Sequence, residues 1–182
     1  MKIKHALPAV AFCLMLNAGY AADPMVVTFS GAGSNVATSI DTNGDGITAF
    51  LATGTGSSSL GAFTTRNVNE PLAPVGINTA NCPAALEFPL LVVSTVFTFD
   101  DASQFWERLV SGFLCLNPDG TFILSAKTAI VNGTGRFEGA TGSIEATAKG
   151  NVILQSGDGP TAQPVLAQTS FVGTFTINLK QP

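Results

Sequence analysis

Glu87, Glu107 and Arg108 are the charged side chains set into the most apolar stretches of the chain, 85–99 and 104–116. A carboxyl or guanidinium group drawn into such surroundings has its proton affinity changed by desolvation and by its neighbours, which is how acid, base and anchoring groups are made. Trp106, the one tryptophan, could floor an apolar cavity beside them. Glu87, Trp106 and Arg108 are therefore the candidate ligand-binding residues. The competing reading is that a single charged residue in a strand usually points to solvent and a single tryptophan usually joins a core. Alternation in these two stretches is too ragged to say which face each residue uses.

A second constellation is Asp41-Thr42-Asn43-Gly44-Asp45-Gly46, with carboxylate or amide oxygens at alternate positions and glycine following. This spacing wraps a hard cation in the first half of an EF-hand loop, so Asp41, Asn43 and Asp45 are candidate ligands for Ca²⁺. The bidentate Glu that would end such a loop is replaced by Ala52. A distant carboxylate would have to complete the site, and an Asx-type turn ahead of Ile47 is the simpler reading. No cofactor is otherwise required.

The start of the chain narrows the chemistry. Lys2 and Lys4, the apolar run 6–16 and the small residues of Gly19-Tyr20-Ala21 form an export signal expected to be cleaved after Ala21. Residues 1–21 are then a signal peptide and 22–182 one β-barrel domain, with a secreted or periplasmic address. Pro8 and the shortness of the apolar core argue against a retained transmembrane helix. The only histidine, His5, and the only tyrosine, Tyr20, leave with the signal. Histidine-based acid–base catalysis, a Ser-His-Asp triad and a His-ligated metal are thereby excluded from the mature chain. Two of the eight basic residues leave as well, so twelve acidic residues face six basic ones, a net charge of −6. Without a basic face, nucleic acid is not an expected partner.

Cys82 and Cys115 remain in a chain bound for an oxidising space, and a disulfide between them is expected. Closing that loop would stabilise the fold by ~3–4 kcal/mol in the chain-entropy model. A reactive thiol pair is the weaker reading, because no histidine and no adjacent Lys or Arg activates either sulfur.

The elements that must position these residues read as strands throughout: runs rich in Val, Ile, Thr and Phe, punctuated by Gly, Asn, Asp and Pro. The segments are 25–30, 47–55, 60–68, 85–99, 104–116, 121–131, 142–154 and 165–179. Eight strands fit an all-β, closed antiparallel barrel, mostly up-and-down. Ile144, Ala146 and Ala148 alternate with Ser143, Glu145, Thr147 and Lys149, the clearest two-residue period in the chain. Asn117-Pro118-Asp119-Gly120 and Asp100-Asp101-Ala102-Ser103 read as hairpin turns. The longer loop 67–83 is expected to cross the barrel mouth, pinned by Cys82. Residues 103–110 could instead begin as a capped helical turn, but the run 113–116 continues them as extended chain.

One further segment, Asn132-Gly133-Thr134-Gly135-Arg136-Phe137-Glu138-Gly139-Ala140-Thr141-Gly142-Ser143, packs four glycines around an aromatic and two opposite charges. Such a cluster suggests a tight bend with a bulge in a curved sheet. It resembles the Gly-rich motif of the small barrels that include plant allene oxide cyclases, dirigent proteins and many secreted bacterial proteins. Leu60-Gly61-Ala62-Phe63-Thr64 is a smaller echo of it. Asn132 stands where those sequences often carry glycine, a change the turn should accept because Asn tolerates the left-handed region. Phe137 is expected to plug the barrel bottom and Arg136 to lock the turn through an ion pair or loop carbonyls, rather than grip an acidic ligand. Gly135 and Gly139 lack the Gly-Lys-Ser/Thr of a phosphate cradle, and Asn132-Gly133-Thr134, a formal glycosylation sequon, is poorly placed for a glycan.

The resemblance implies a barrel that binds a small hydrophobic molecule and steers its reaction by confinement, with oligomers of barrels. The tyrosine of the cyclase-type pocket has no counterpart in the mature chain, so no catalytic residue is carried over. The alternative is a non-enzymatic secreted or surface protein with a filled barrel, and cavity volume separates the two. An outer-membrane barrel is disfavoured by the lack of aromatic girdles.

Overall fold

The structure, a computed structural model, describes residues 23–156 and 163–179; the expected export segment lies outside them. Nine strands follow in order: β1 Met25–Ala37, β2 Phe50–Ser58, β3 Gly61–Pro71, β4 Gly76–Ile77, β5 Leu86–Phe99, β6 Gln104–Leu116, β7 Thr121–Thr134, β8 Thr141–Ser156 and β9 Gln163–Asn178. All pairings are antiparallel. Each long strand pairs with its neighbours in sequence, β3 with β5 across the short β4, and β1 closes the ring against β9 from Met25↔Ile177 to Val36↔Leu166. The architecture is therefore a closed, up-and-down, eight-stranded barrel with β4 outside the ring, paired only to Leu86 and Glu87 of β5.

Each expected segment is a strand, and the differences lie at the ends. The strand expected to stop at Ser30 continues to Ala37. Gly31 to Asn35 carry little intrinsic strand preference, yet they are hydrogen-bonded on both sides, to β2 and to β9, and tertiary pairing overrides propensity. Gly31 faces Gly56 and Gly33 faces Gly54 across β1 and β2. These glycines form a wall without side chains, over which the Phe171 and Phe63 rings lie. A methyl group at Gly31 would collide with the Thr55 carbonyl oxygen and the Phe171 ring. Gly31→Ala is accordingly expected to cost about 1–3 kcal/mol by overpacking. Urea unfolding measures it, and an unchanged midpoint would show that this wall yields.

One pole of the barrel is solid. Phe29, Phe63, Phe97, Phe99, Phe105, Phe137 and Phe175 form its core with Val27, Ile130, Ile144 and Ile177. The Gly-rich segment closes this pole: a 3₁₀ turn, Gly135–Phe137, drops the fully buried Phe137 ring beneath Phe99 and Phe105. Arg136 holds the turn in place. Its Nη2 donates to the Leu60 carbonyl at 2.6 Å, its Nε lies 3.3 Å from Asp101 Oδ2, and its guanidinium sits over the Phe99 and Phe137 rings. The helical turn breaks the extended geometry that would have set Glu138 beside Arg136, and Glu138 is exposed. A bulge lies between Trp106 and Glu107 against the end of β7. Asn132 is not a left-handed residue; it stays in β7, its Oδ1 accepting the Gly133 N–H at 2.8 Å.

At the opposite pole the long connection departs from expectation. Instead of crossing the mouth, the chain after Pro71 stays beside β5: the Leu72 N–H donates to the Pro89 carbonyl, the Val75 N–H to that of Glu87, and β4 follows. Residues 78–85 then return over the outer wall, where Cys82 is bonded to Cys115 with a Cα–Cα distance of 5.4 Å. Both hairpin turns form: Gly120 takes φ +81° after Asn117-Pro118-Asp119, and Ala102 takes φ +62° in the β5–β6 turn. Among the described residues no helix is long and apolar enough to cross a membrane.

Candidate functional site

The upper half of the barrel is not filled. Above Phe29 and Phe97 lies a chamber of about 120 Å³, and a smaller one of about 50 Å³ continues past Asn69, Phe122 and Leu124 to Leu116, Val152 and Pro164 at the open pole. The interior is thus neither solid nor a pocket of several hundred Å³. The larger chamber has the scale of a cavity that accepts a single benzene-sized molecule.

Its two walls differ in chemistry. Ile144, Ala146 and Ala148 of β8, Phe171 of β9 and Phe29 of β1 make an apolar half. Facing them, Asn67 and Asn69 of β3, Thr95 of β5, Glu107 of β6 and Thr128 of β7 make a polar belt. Register explains the belt, because Asn67 pairs with Thr95 and Thr95 with Glu107, so three side chains line up across three strands on the inner face. Asn69 Nδ2 donates to Asn67 Oδ1 at 2.7 Å, and Asn67 Nδ2 donates to Thr95 Oγ1 at 2.7 Å. The Thr128 hydroxyl donates to Glu107 Oε2. Thr95, Glu107 and Thr128 are each at least 94% buried, so this is an interior network and not a rim.

Burial pushes the Glu107 carboxyl above the ordinary carboxylate range, against the opposing pull of hydrogen bonds from Thr128 and Thr95. The sign of the resulting pH dependence is fixed. A group whose native-state proton affinity is raised contributes stability that is complete below its unfolded value and is lost as pH rises through the native value. Glu107→Gln should therefore abolish a decline in stability on the neutral side of the profile. The acid side should be unchanged, since Asp45, Asp101, Asp119, Glu87 and Glu145 are held low and their stability is lost as pH falls through their native values. Thermal midpoints of both proteins across about pH 3–8 check this, and parallel curves would contradict it.

The residues proposed from sequence fall elsewhere. Phe105 and Glu107 point inward, so Trp106 and Arg108, one position along from each, take the outer face; Arg108 is exposed and Trp106 half-buried. Glu87 pairs with Cys115, on the outer face as well. It is buried there by the returning loop, and hydrogen bonds from Thr79 and Asn81 hold its carboxyl below the usual range, Asn81 Nδ2 donating to Oε1 at 2.8 Å. None of the three lines the chamber. Glu107, the remaining embedded charge, does, and with it come Asn67, Asn69, Thr95 and Thr128, which sequence reasoning passed over. The signal was present: counting back from the Asp100–Ser103 turn pairs Phe97 with Phe105 and Thr95 with Glu107, and two phenylalanines facing inward carry the other pair inward too.

The Asp41 loop is a hydrogen-bonded turn. Asp41 accepts the N–H groups of Gly44 and Gly46 at 2.7 and 2.9 Å, Asn43 that of Asp45 at 3.2 Å, and Asp45 those of Ile47 and Ala73 at 2.8 and 2.9 Å. These contacts hold Asp45 below the usual carboxylate range, the Ile47 N–H first among them. Glu70, a further carboxylate beside this loop, accepts the N–H and hydroxyl of Thr42 through its two oxygens at 2.7 and 2.8 Å. Among the described residues no three His, Cys, Asp or Glu side chains converge as metal ligands.

Comparison of the chain with protein-family models, with curated proteins and with solved structures finds no match.

Proposed function

We propose that this is an exported barrel of the allene oxide cyclase/dirigent-like type that holds and orients one small, mainly apolar molecule. The observation that carries this reading is the two-faced chamber above the aromatic plug, with phenyl and aliphatic groups on one wall and a buried hydrogen-bonded belt on the other. Small-molecule sites are typically apolar with a few convergent polar groups that fix orientation. Confinement of this kind needs no cofactor, and no residue is assigned a catalytic role. The outer wall, where Arg66, Arg108, Lys127, Glu145 and Lys149 are all exposed, is unlike the apolar band of a lipid-spanning barrel.

The filled-barrel reading, a non-enzymatic surface or interaction protein, draws support from the solid lower half and the modest volume above it. Native mass spectrometry of the mature protein, followed by titration with toluene, decides between them. Retained ligand, or saturable toluene binding that is blocked by Phe97→Trp in the chamber, is expected for a ligand-binding barrel. A mass equal to the bare chain together with no toluene binding would favour the filled barrel. The same spectrum reads bound Ca²⁺, the disulfide and the number of subunits.

A further inference from the structure

We infer that the chamber is built for a small organic cation, a primary or methylated amine about the size of benzylamine, with its ammonium against the Glu107 carboxyl and its carbon skeleton among Phe29, Phe97, Phe122 and Phe171. The inference rests on the reading of the chamber as a ligand site and adds the chemical class of the ligand.

Three observations carry it. Glu107 is an acidic group inside the barrel without a counter-charge: every Lys and Arg among the described residues is exposed, and none lines the chamber. A buried carboxyl of this kind is costly to ionise until a partner cation arrives, and the barrel provides none of its own. The second observation is the ring content of the lining, four phenylalanines around a space of about 120 Å³. Phenyl faces carry negative charge density and attract ammonium groups, most strongly where water is excluded. The third is the inventory of polar atoms on the belt. The Thr128 and Thr95 hydroxyls donate to Glu107 and keep oxygen lone pairs beside its carboxyl, so the oxygens gathered there suit the several N–H donors of an ammonium group. An alcohol would exchange one hydroxyl partner of Glu107 for another, and an anion would meet the carboxyl and the ring faces unfavourably.

The test titrates the mature protein with benzylamine, benzyl alcohol and benzoate, near-isosteric probes that differ in charge. Benzylamine should bind at least about tenfold more tightly than benzyl alcohol, with benzoate weakest, and Glu107→Gln should remove that preference. Equal or tighter binding of benzyl alcohol to the unmodified protein would overturn the inference and leave the ligand chamber standing. Benzylamine affinity surviving in Glu107→Gln would overturn it too, because the cation would then be held elsewhere. Binding of none of the three would remove both the inference and the ligand-binding reading. The comparison on the unmodified protein decides the matter even if the variant does not fold.

Discussion

Phe175→Ala should destabilise the protein by about 3–5 kcal/mol, lowering its melting temperature by about 6–20 °C at this chain length. Phe175 is fully buried in β9, stacked on Phe29 of β1 at 4.2 Å between centroids and in edge contact with Phe97 and Phe105 at 5.3 and 5.2 Å. It therefore joins the two strands that seal the ring to the β5–β6 hairpin opposite. Each such aromatic pair contributes about 0.5–1.5 kcal/mol beyond area burial. The barrel wall is hydrogen-bonded all round and cannot collapse into the space left behind, so the cavity term should be felt nearly in full. Phe171→Ala, four residues away on the same face but only partly buried, is the internal control and should cost less. Calorimetry of the two variants tests this, and a loss below about 1.5 kcal/mol for Phe175→Ala would mean that the aromatic cluster is not the principal core.

Removing the disulfide, by Cys82→Ala with Cys115→Ala, should cost about 2–5 kcal/mol. The bridge spans 33 residues of sequence and both cysteines are buried, against Ala85 and Phe113. Without it, residues 78–85 lose their tether to β6, and Asn81 its fixed position over Glu87. Hydrogen exchange should accelerate there and along the first residues of β5, while the rest of the barrel keeps its protection. Because the loop lies on the outer wall, ligand affinity in the chamber should change little. A large loss of affinity would place the loop over the mouth after all, the arrangement expected from sequence.

The barrel was legible because the strand segments, both short turns and the cysteine pair are local signals. Arg136 and Phe137 were legible as structural parts for the same reason: a Gly-rich turn with one ring and one cation has few other uses. The site was not, because it is assembled by register. Asn67, Thr95 and Glu107 lie in three strands, and only the hydrogen-bonded pairing of β3 with β5 and of β5 with β6 brings them level. Period-two counting from Phe105 would have turned Glu107 inward and Trp106 and Arg108 outward. The irregularity at Trp106/Glu107 skips Val131 of β7 and leaves that count intact; the raggedness comes from Val110, the extra residue between Leu109 and Ser111, and from Leu91, the extra residue of β5 opposite Glu70/Pro71. Glu87 misled for a different reason: its burial is real, but the covering comes from residues 78–85 outside the ring.

The β1–β9 seam has a practical corollary. Met25 lies across from Ile177, and Thr141, next to the aromatic plug, lies across from Asn178. Anything attached before the first strand or after the last therefore departs from the sealed floor, and the entrance at the far end stays unobstructed. A tag, surface anchor or fused carrier at either extremity should leave solute access intact, whereas new chain ends cut into the Asn117–Gly120 hairpin would hang at the threshold itself.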